Sequence, residues 1–134
     1  ATLMVSFPAA SLAAAALTRH PRLGVGLHVT LTGAAPTLPA REVPSLVDEH
    51  GLLPRKPEAM GEVEPREVLA EVRNQLALFR RLTGRMPTHL DSHHHSHRLP
   101  AVLDAFGVRM SGFESLSKFR TTAGMSDVAR WPGP

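Results

Sequence analysis

Apolar residues recur at spacings of three and four through Leu69, Val72, Leu76, Phe79 and Leu82, the mark of one helical face. Pro65 suits the first turn of such a helix and Gly84 its C-terminal cap, so the pattern predicts a helix over 65–83. Extended runs flank it. In GVGLHVTL, residues 24–31, Val25, Leu27, Val29 and Leu31 alternate with Gly26, His28 and Thr30, which predicts a strand with one apolar face. Residues 88–93 read as another strand. Upstream lie a short apolar strand over 2–5 and an Ala-rich helix from Pro8 to about Thr18, closed by His20-Pro21. A short helix starting at Leu99-Pro100 and a strand over 107–110 complete the series. This order of strands and helices predicts an α/β fold with a parallel sheet or barrel, whose sites gather at the C-terminal strand ends.

Between residues 33 and 64 the pattern dissolves around Pro36, Pro39, Pro44, Pro54 and Pro57. A loop well beyond ~15 residues is usually functional or disordered, so this one is expected to act as a lid or specificity loop. The last two dozen residues show no period, and neither a repeat nor a domain linker is evident. Residues 1–134 are read as one domain, long enough to bury a core.

Composition removes several classes of function. Hydrophobic residues make up 43% and charged residues 20%, as in a soluble globular chain. With no cysteine, disulfides and thiolate metal sites are impossible, and any metal is held by nitrogen and oxygen. The net charge of +3 is spread among acids, and 4% aromatics without tyrosine make a base-stacking platform hard to build, so nucleic acid is not an expected partner. No run approaches the ~18 apolar residues of a membrane span. The opening ATLMVSFPAASLAAAAL lacks an initiating Met and a basic region, and Pro8 and Ser11 interrupt it. It is read as the interior of a longer chain, with a cytoplasmic location expected and a homo-oligomer left open.

THLDSHHHSH, residues 88–97, holds five of the eight histidines. If 88–93 is extended, alternation puts His89, Asp91 and His93 on one face. If the chain turns helical after His93, then His93 and His97 stand one above the other at i and i+4. His28, on the mixed face of its own strand, reaches the same place if the two strands are neighbours. Imidazole binds Zn, Mn, Fe, Co or Ni, and a carboxylate shifts preference towards Mn or Mg. Asp91 is either a ligand or an acceptor that fixes a histidine's tautomer. The plainer readings are a solvated His-rich loop and, for His28, an ordinary sheet histidine. His20 and His50, beside Pro21 and Gly51, read as loop residues.

LGVGLHVTLTGAAP followed by GRMPTHLDSHHHSH resembles the carbohydrate (chitooligosaccharide) deacetylase family, also called YdjC-like. That family has a Gly-(Leu/Met)-His strand followed by Leu-Thr, then a helix, then a Pro-Thr-His-Leu-Asp-Ser-His-His-His-x-His segment. SLVDEHGLL and FRTTAGMS resemble further family segments. The resemblance implies a (β/α)-barrel-like fold that removes N-acetyl groups from a small amino-sugar carbohydrate with a divalent metal, usually Mg²⁺. It implies His28 and His93 as metal ligands, with His97 the alternate. His89 and Asp91 are then residues behind the ligands or against the substrate. Nitrogen donors suit Zn²⁺, Mn²⁺ or Co²⁺ better than Mg²⁺. The family's Asp-Asp-Phe-Gly strand, source of its presumed catalytic aspartate, has no counterpart in this chain. The base is therefore expected upstream of residue 1, and the chain is read as an incomplete portion of a longer catalytic domain. A different metal-dependent hydrolase, such as a phosphoesterase, and a non-catalytic metal-binding module are the competing readings.

Overall fold

The structure is a computed structural model that describes residues 1–100 and Val102. Three short parallel strands form its sheet: β1 (Thr2–Leu3), β2 (Gly26–Val29) and β3 (Leu90–Ser92), in the order β1-β2-β3. Helix α1 (Ala10–Leu17) connects β1 to β2, and α2 (Pro65–Thr83) lies between β2 and β3. The result is a mixed α/β arrangement on a parallel sheet. Among the described residues the sheet has three strands, and a barrel needs a longer sheet to close on itself. The expected strand at 107–110 and the connection before it lie outside the described residues, whereas Pro100 and Val102 are helical as expected.

Helix α2 begins and ends where Pro65 and Gly84 place it. Gly84 adopts φ 70°, the left-handed cap geometry that glycine enters without a Cβ clash, and its N–H donates to Arg80 O at 2.8 Å. Its buried face is centred on Val68, Val72 and Phe79, packed on Leu27, Val29 and Leu31 of the sheet side. Leu76 and Leu82, expected in that face, are only partly buried. Two polar residues, Glu71 and Gln75, occupy it instead and are fully buried.

Of these, Gln75 explains why β2 ends sooner than its alternation predicts. The Gln75 side chain accepts from Thr30 N at 2.9 Å and donates to Thr30 O at 2.7 Å, so an amide takes the place of a neighbouring strand. The strand ladder stops there. Glu71 in turn accepts from Thr37 N, Thr37 Oγ1, Leu38 N and Gln75 Nε2, all within 3.0 Å. One turn earlier, Glu67 accepts from Ser45 N and Ser45 Oγ at 2.7 Å each. The first part of segment 33–64 is thus tied to α2 at Thr37, Leu38 and Ser45, and the segment contributes Val43, Leu46, Leu53 and Val63 to the core. Three 3₁₀ turns, Ala40–Glu42, Pro44–Leu46 and Pro57–Ala59, give it local order. No helix among the described residues is long and apolar enough to cross a membrane.

Candidate metal centre

Strands β2 and β3 are neighbours, and their register pairs His28 with Asp91. Alternation sends both side chains to the same face of the sheet. There His28 Nδ1 lies 2.6 Å from Asp91 Oδ1. A carboxylate can only accept, so Nδ1 carries the hydrogen and the bond is charge-assisted. The two side chains are 20% and 23% exposed, largely withdrawn from bulk water.

His93 follows β3 directly, and its ring sits edge-on to that of His28 with centroids 5.6 Å apart. His94 lies over His93 at 3.8 Å, and its Nδ1 is 3.2 Å from the hydroxyl of buried Thr32. The pattern at 88–97 gave no role to His94 and did not include Thr32. Extending the alternation of His28 and Thr30 by two residues would have found Thr32. The loop after β2 closes on the same cluster, since Gly33 lies against His93 Nε2 and His94 Cε1.

The helical reading of residues after His93 is overturned. His94 and His95 both take left-handed backbone, φ 52° and 55°, and residues His93–Arg98 form two 3₁₀ turns across that kink. Such geometry costs a non-glycine residue about 1–3 kcal/mol and is typical of sites where surrounding packing imposes it. His93 and His97 therefore do not stack as i and i+4. The His97 backbone N–H and its Nδ1 both meet Ser92 Oγ, at 3.2 and 2.5 Å. Ser92 alternates to the side of β3 opposite Asp91, and the 4% exposed His97 is tied to Ser92. His89 stands just before β3, its Nδ1 2.9 Å from Thr88 Oγ1. Its ring covers Gly26, where an added Cβ would come within 2.6 Å of both His89 side-chain and carbonyl atoms. Only glycine permits β2 and β3 to pair with His89 in that place.

Burial pushes the His93 imidazole below its ordinary value of 6.5, and the neighbouring His94 and His28 push the same way. Burial also lowers His97, with His95 and Arg98 adding to it and Asp91 opposing. Both imidazoles therefore take up a proton less readily in the fold than in the unfolded chain. The stability they supply is whole above about pH 6.5 and drains as the pH falls towards their folded values. Urea unfolding of the metal-free protein should give lower stability at pH 5.5 than at pH 7.5. The slope should stay under about 1.4 kcal/mol per pH unit per histidine, and His97→Gln should flatten it. Greater stability at pH 5.5 would contradict the assignment.

Among the described residues no set of three or more His, Asp or Glu is placed to hold a metal ion. The sheet supplies two imidazoles on one face, His28 with its Nδ1 already engaged. That pair matches borderline divalent cations in donor type and leaves the remaining coordination positions to other groups.

A family model described as YdjC-like protein matches residues 1–129. A carbohydrate deacetylase of Geobacillus stearothermophilus is 45% identical over 102 residues, covering 76% of this chain and 40% of that protein. A chitooligosaccharide deacetylase of Serratia marcescens is 44% identical over 105 residues, covering 75% of this chain and 40% of that protein. The crystal structure of a proposed cellobiose-phosphate cleavage protein from Enterococcus faecalis V583 superposes with a TM-score of 0.71 at 35% identity. The superposition covers 78% of this chain and 41% of that one. The chain thus spans about 40% of the length of the relatives it matches. With the family model running over nearly all of its residues, the chain belongs to the YdjC-like protein family.

Proposed function

We propose that this chain carries part of the centre of a metal-dependent carbohydrate deacetylase that removes N-acetyl groups from amino-sugar oligosaccharides. The observation that carries the proposal is the grouping of His28, Asp91 and His93 on one face at the ends of adjacent parallel strands. The names of its relatives, carbohydrate and chitooligosaccharide deacetylase, supply the reaction class.

His28 and His93 would hold the metal, His28 through Nε2. A divalent ion bound there would lower the pKa of a water and polarise the acetyl carbonyl. The ion is Mg²⁺ by family resemblance, although two nitrogen donors suit Zn²⁺, Mn²⁺ or Co²⁺ better. The catalytic base is assigned to a residue outside 1–134. Thr32, Gly33 and His94 would form the rim next to the metal, and segment 33–64 a fixed wall against the sugar. In this proposal the three-stranded sheet is a sector of a (β/α)-barrel and the location is cytoplasmic.

The neighbour named for cellobiose-phosphate makes a phosphorylated sugar the second substrate class to test. The full-length protein, freed of metal and then supplied with Mg²⁺, Mn²⁺, Co²⁺ or Zn²⁺, should release acetate from N-acetylated chito-oligomers only when metal is returned. Acetate release indifferent to a chelator would remove the metal from the mechanism. Phosphate release from a sugar phosphate, without acetate, would favour the phosphoesterase reading. Metal uptake with neither product would favour the binding module.

A further inference from the structure

We infer that Asp91 is a positioning residue for His28, setting its tautomer and ring orientation, and is not itself a ligand of the ion that His28 holds. This rests on the reading of His28 as a metal ligand and assigns Asp91 one of the two roles its position allows.

The sheet register makes the pairing, because His28 and Asp91 are direct partners across two parallel strands and share a face. The register continues on both sides of the pair, with Leu27 opposite Leu90 and Val29 opposite Ser92, and just before it Leu27 N donates to His89 O at 3.0 Å and Thr88 N to Val25 O at 2.9 Å. The Asp91 carboxylate therefore meets His28 at Nδ1, 2.6 Å away, with little freedom to go elsewhere. An imidazole has one proton to place when neutral. With Nδ1–H committed to the carboxylate, the lone pair must stand on Nε2, on the opposite edge of the ring. An ion bound at Nε2 lies across the ring from Oδ1, out of reach of that oxygen. The same hydrogen bond prevents rotation of the ring about its Cβ–Cγ bond and increases the basicity of Nε2, as outer carboxylates commonly do for metal-bound histidines.

The low exposure of both groups strengthens the coupling, since little water is available to replace the carboxylate. Asp91 also differs from Ser92, the next residue along β3, whose hydroxyl engages His97 Nδ1 on the other side of the strand. Successive residues of β3 thus each fix one histidine, and only the Asp91 side faces His93.

The test uses the full-length protein, its Asp91→Ala and Asp91→Asn variants, and two readouts. Nitrogen NMR of metal-free protein reports the His28 tautomer, and titration with Zn²⁺ or Mn²⁺ reports affinity. The wild type should show His28 protonated at Nδ1. Asp91→Ala should lose that preference and weaken metal binding about 10–100-fold. Asp91→Asn, whose amide oxygen can still accept from Nδ1–H, should keep the tautomer and recover most of the affinity. If Asp91→Ala keeps both the tautomer and the wild-type affinity, the inference is overturned. So it is if the tautomer survives in Asp91→Asn while affinity falls as far as in Asp91→Ala, which would make the carboxylate a ligand. A wild-type protein that takes up no metal overturns the metal-centre reading itself, and with it the positioning role of Asp91.

Discussion

Replacing His93 by alanine in the full-length protein is expected to reduce kcat/KM for N-acetylated chito-oligomers by about 10³-fold or more. A metal ion that polarises the carbonyl and generates the nucleophile contributes several kcal/mol to transition-state stabilisation, and each 1.4 kcal/mol is a factor of ten in rate. His93 stands at the end of β3, 5.6 Å between ring centres from His28, and burial pushes its imidazole below the ordinary value, which favours the neutral form that coordinates. The loss should appear together with lower metal content, measured by elemental analysis. The fold should survive, because His93 is only partly buried and lies after the strand rather than within the apolar core. His20→Ala, an exposed loop substitution, should leave both quantities unchanged. Near-normal turnover by His93→Ala with metal still bound would remove His93 from the centre.

The second large effect concerns stability. Glu71→Ala is expected to destabilise the protein by about 2–4 kcal/mol, because it strands several donors that now meet one carboxylate. Those donors are Thr37 N, Thr37 Oγ1, Leu38 N and Gln75 Nε2, and Glu71 itself is fully buried. Gln75 also completes the backbone of Thr30, so the damage should spread to the end of β2 next to His28. Denaturant unfolding measures the loss, and limited proteolysis should show faster cleavage within 33–64. A change below about 0.5 kcal/mol, the range of ordinary surface substitutions, would show that the buried carboxylate does not hold this segment.

Glu71 and Gln75 also mark where the sequence stops being legible. The helix over 65–83 could be read because Pro65, Gly84 and the apolar stripe agree on its ends and its face. Within that stripe, however, a charged and an amide residue look like interruptions, and only their partners at Thr30 and Thr37 reveal them as core. The long proline-rich segment was unreadable for the same reason, since its order comes from side chains of α2 rather than from its own periodicity.

The candidate centre divides along similar lines. Period-two alternation puts His89, Asp91 and His93 on one face and His28 on the polar face of its own strand, and parallel pairing of β2 with β3 sets His28 beside Asp91. The left-handed backbone at His94 and His95 had only a weak sequence signal, because neither is the glycine that usually announces it, although histidine enters that region more readily than most side chains. That kink alone separates His97 from the spacing argument and lays His94 over His93.

The functional reading stands or falls on whether His28 and His93 hold one divalent ion. The decisive measurement is an anomalous-difference map from crystals of the full-length protein equilibrated with Zn²⁺ or Mn²⁺. A single strong peak is expected about 2.0–2.3 Å from His28 Nε2 and from one ring nitrogen of His93, with Asp91 still on His28 Nδ1. A peak bound by Asp91 or His97 in place of His28, or none near β2 and β3 in protein that has taken up the ion, would refute it.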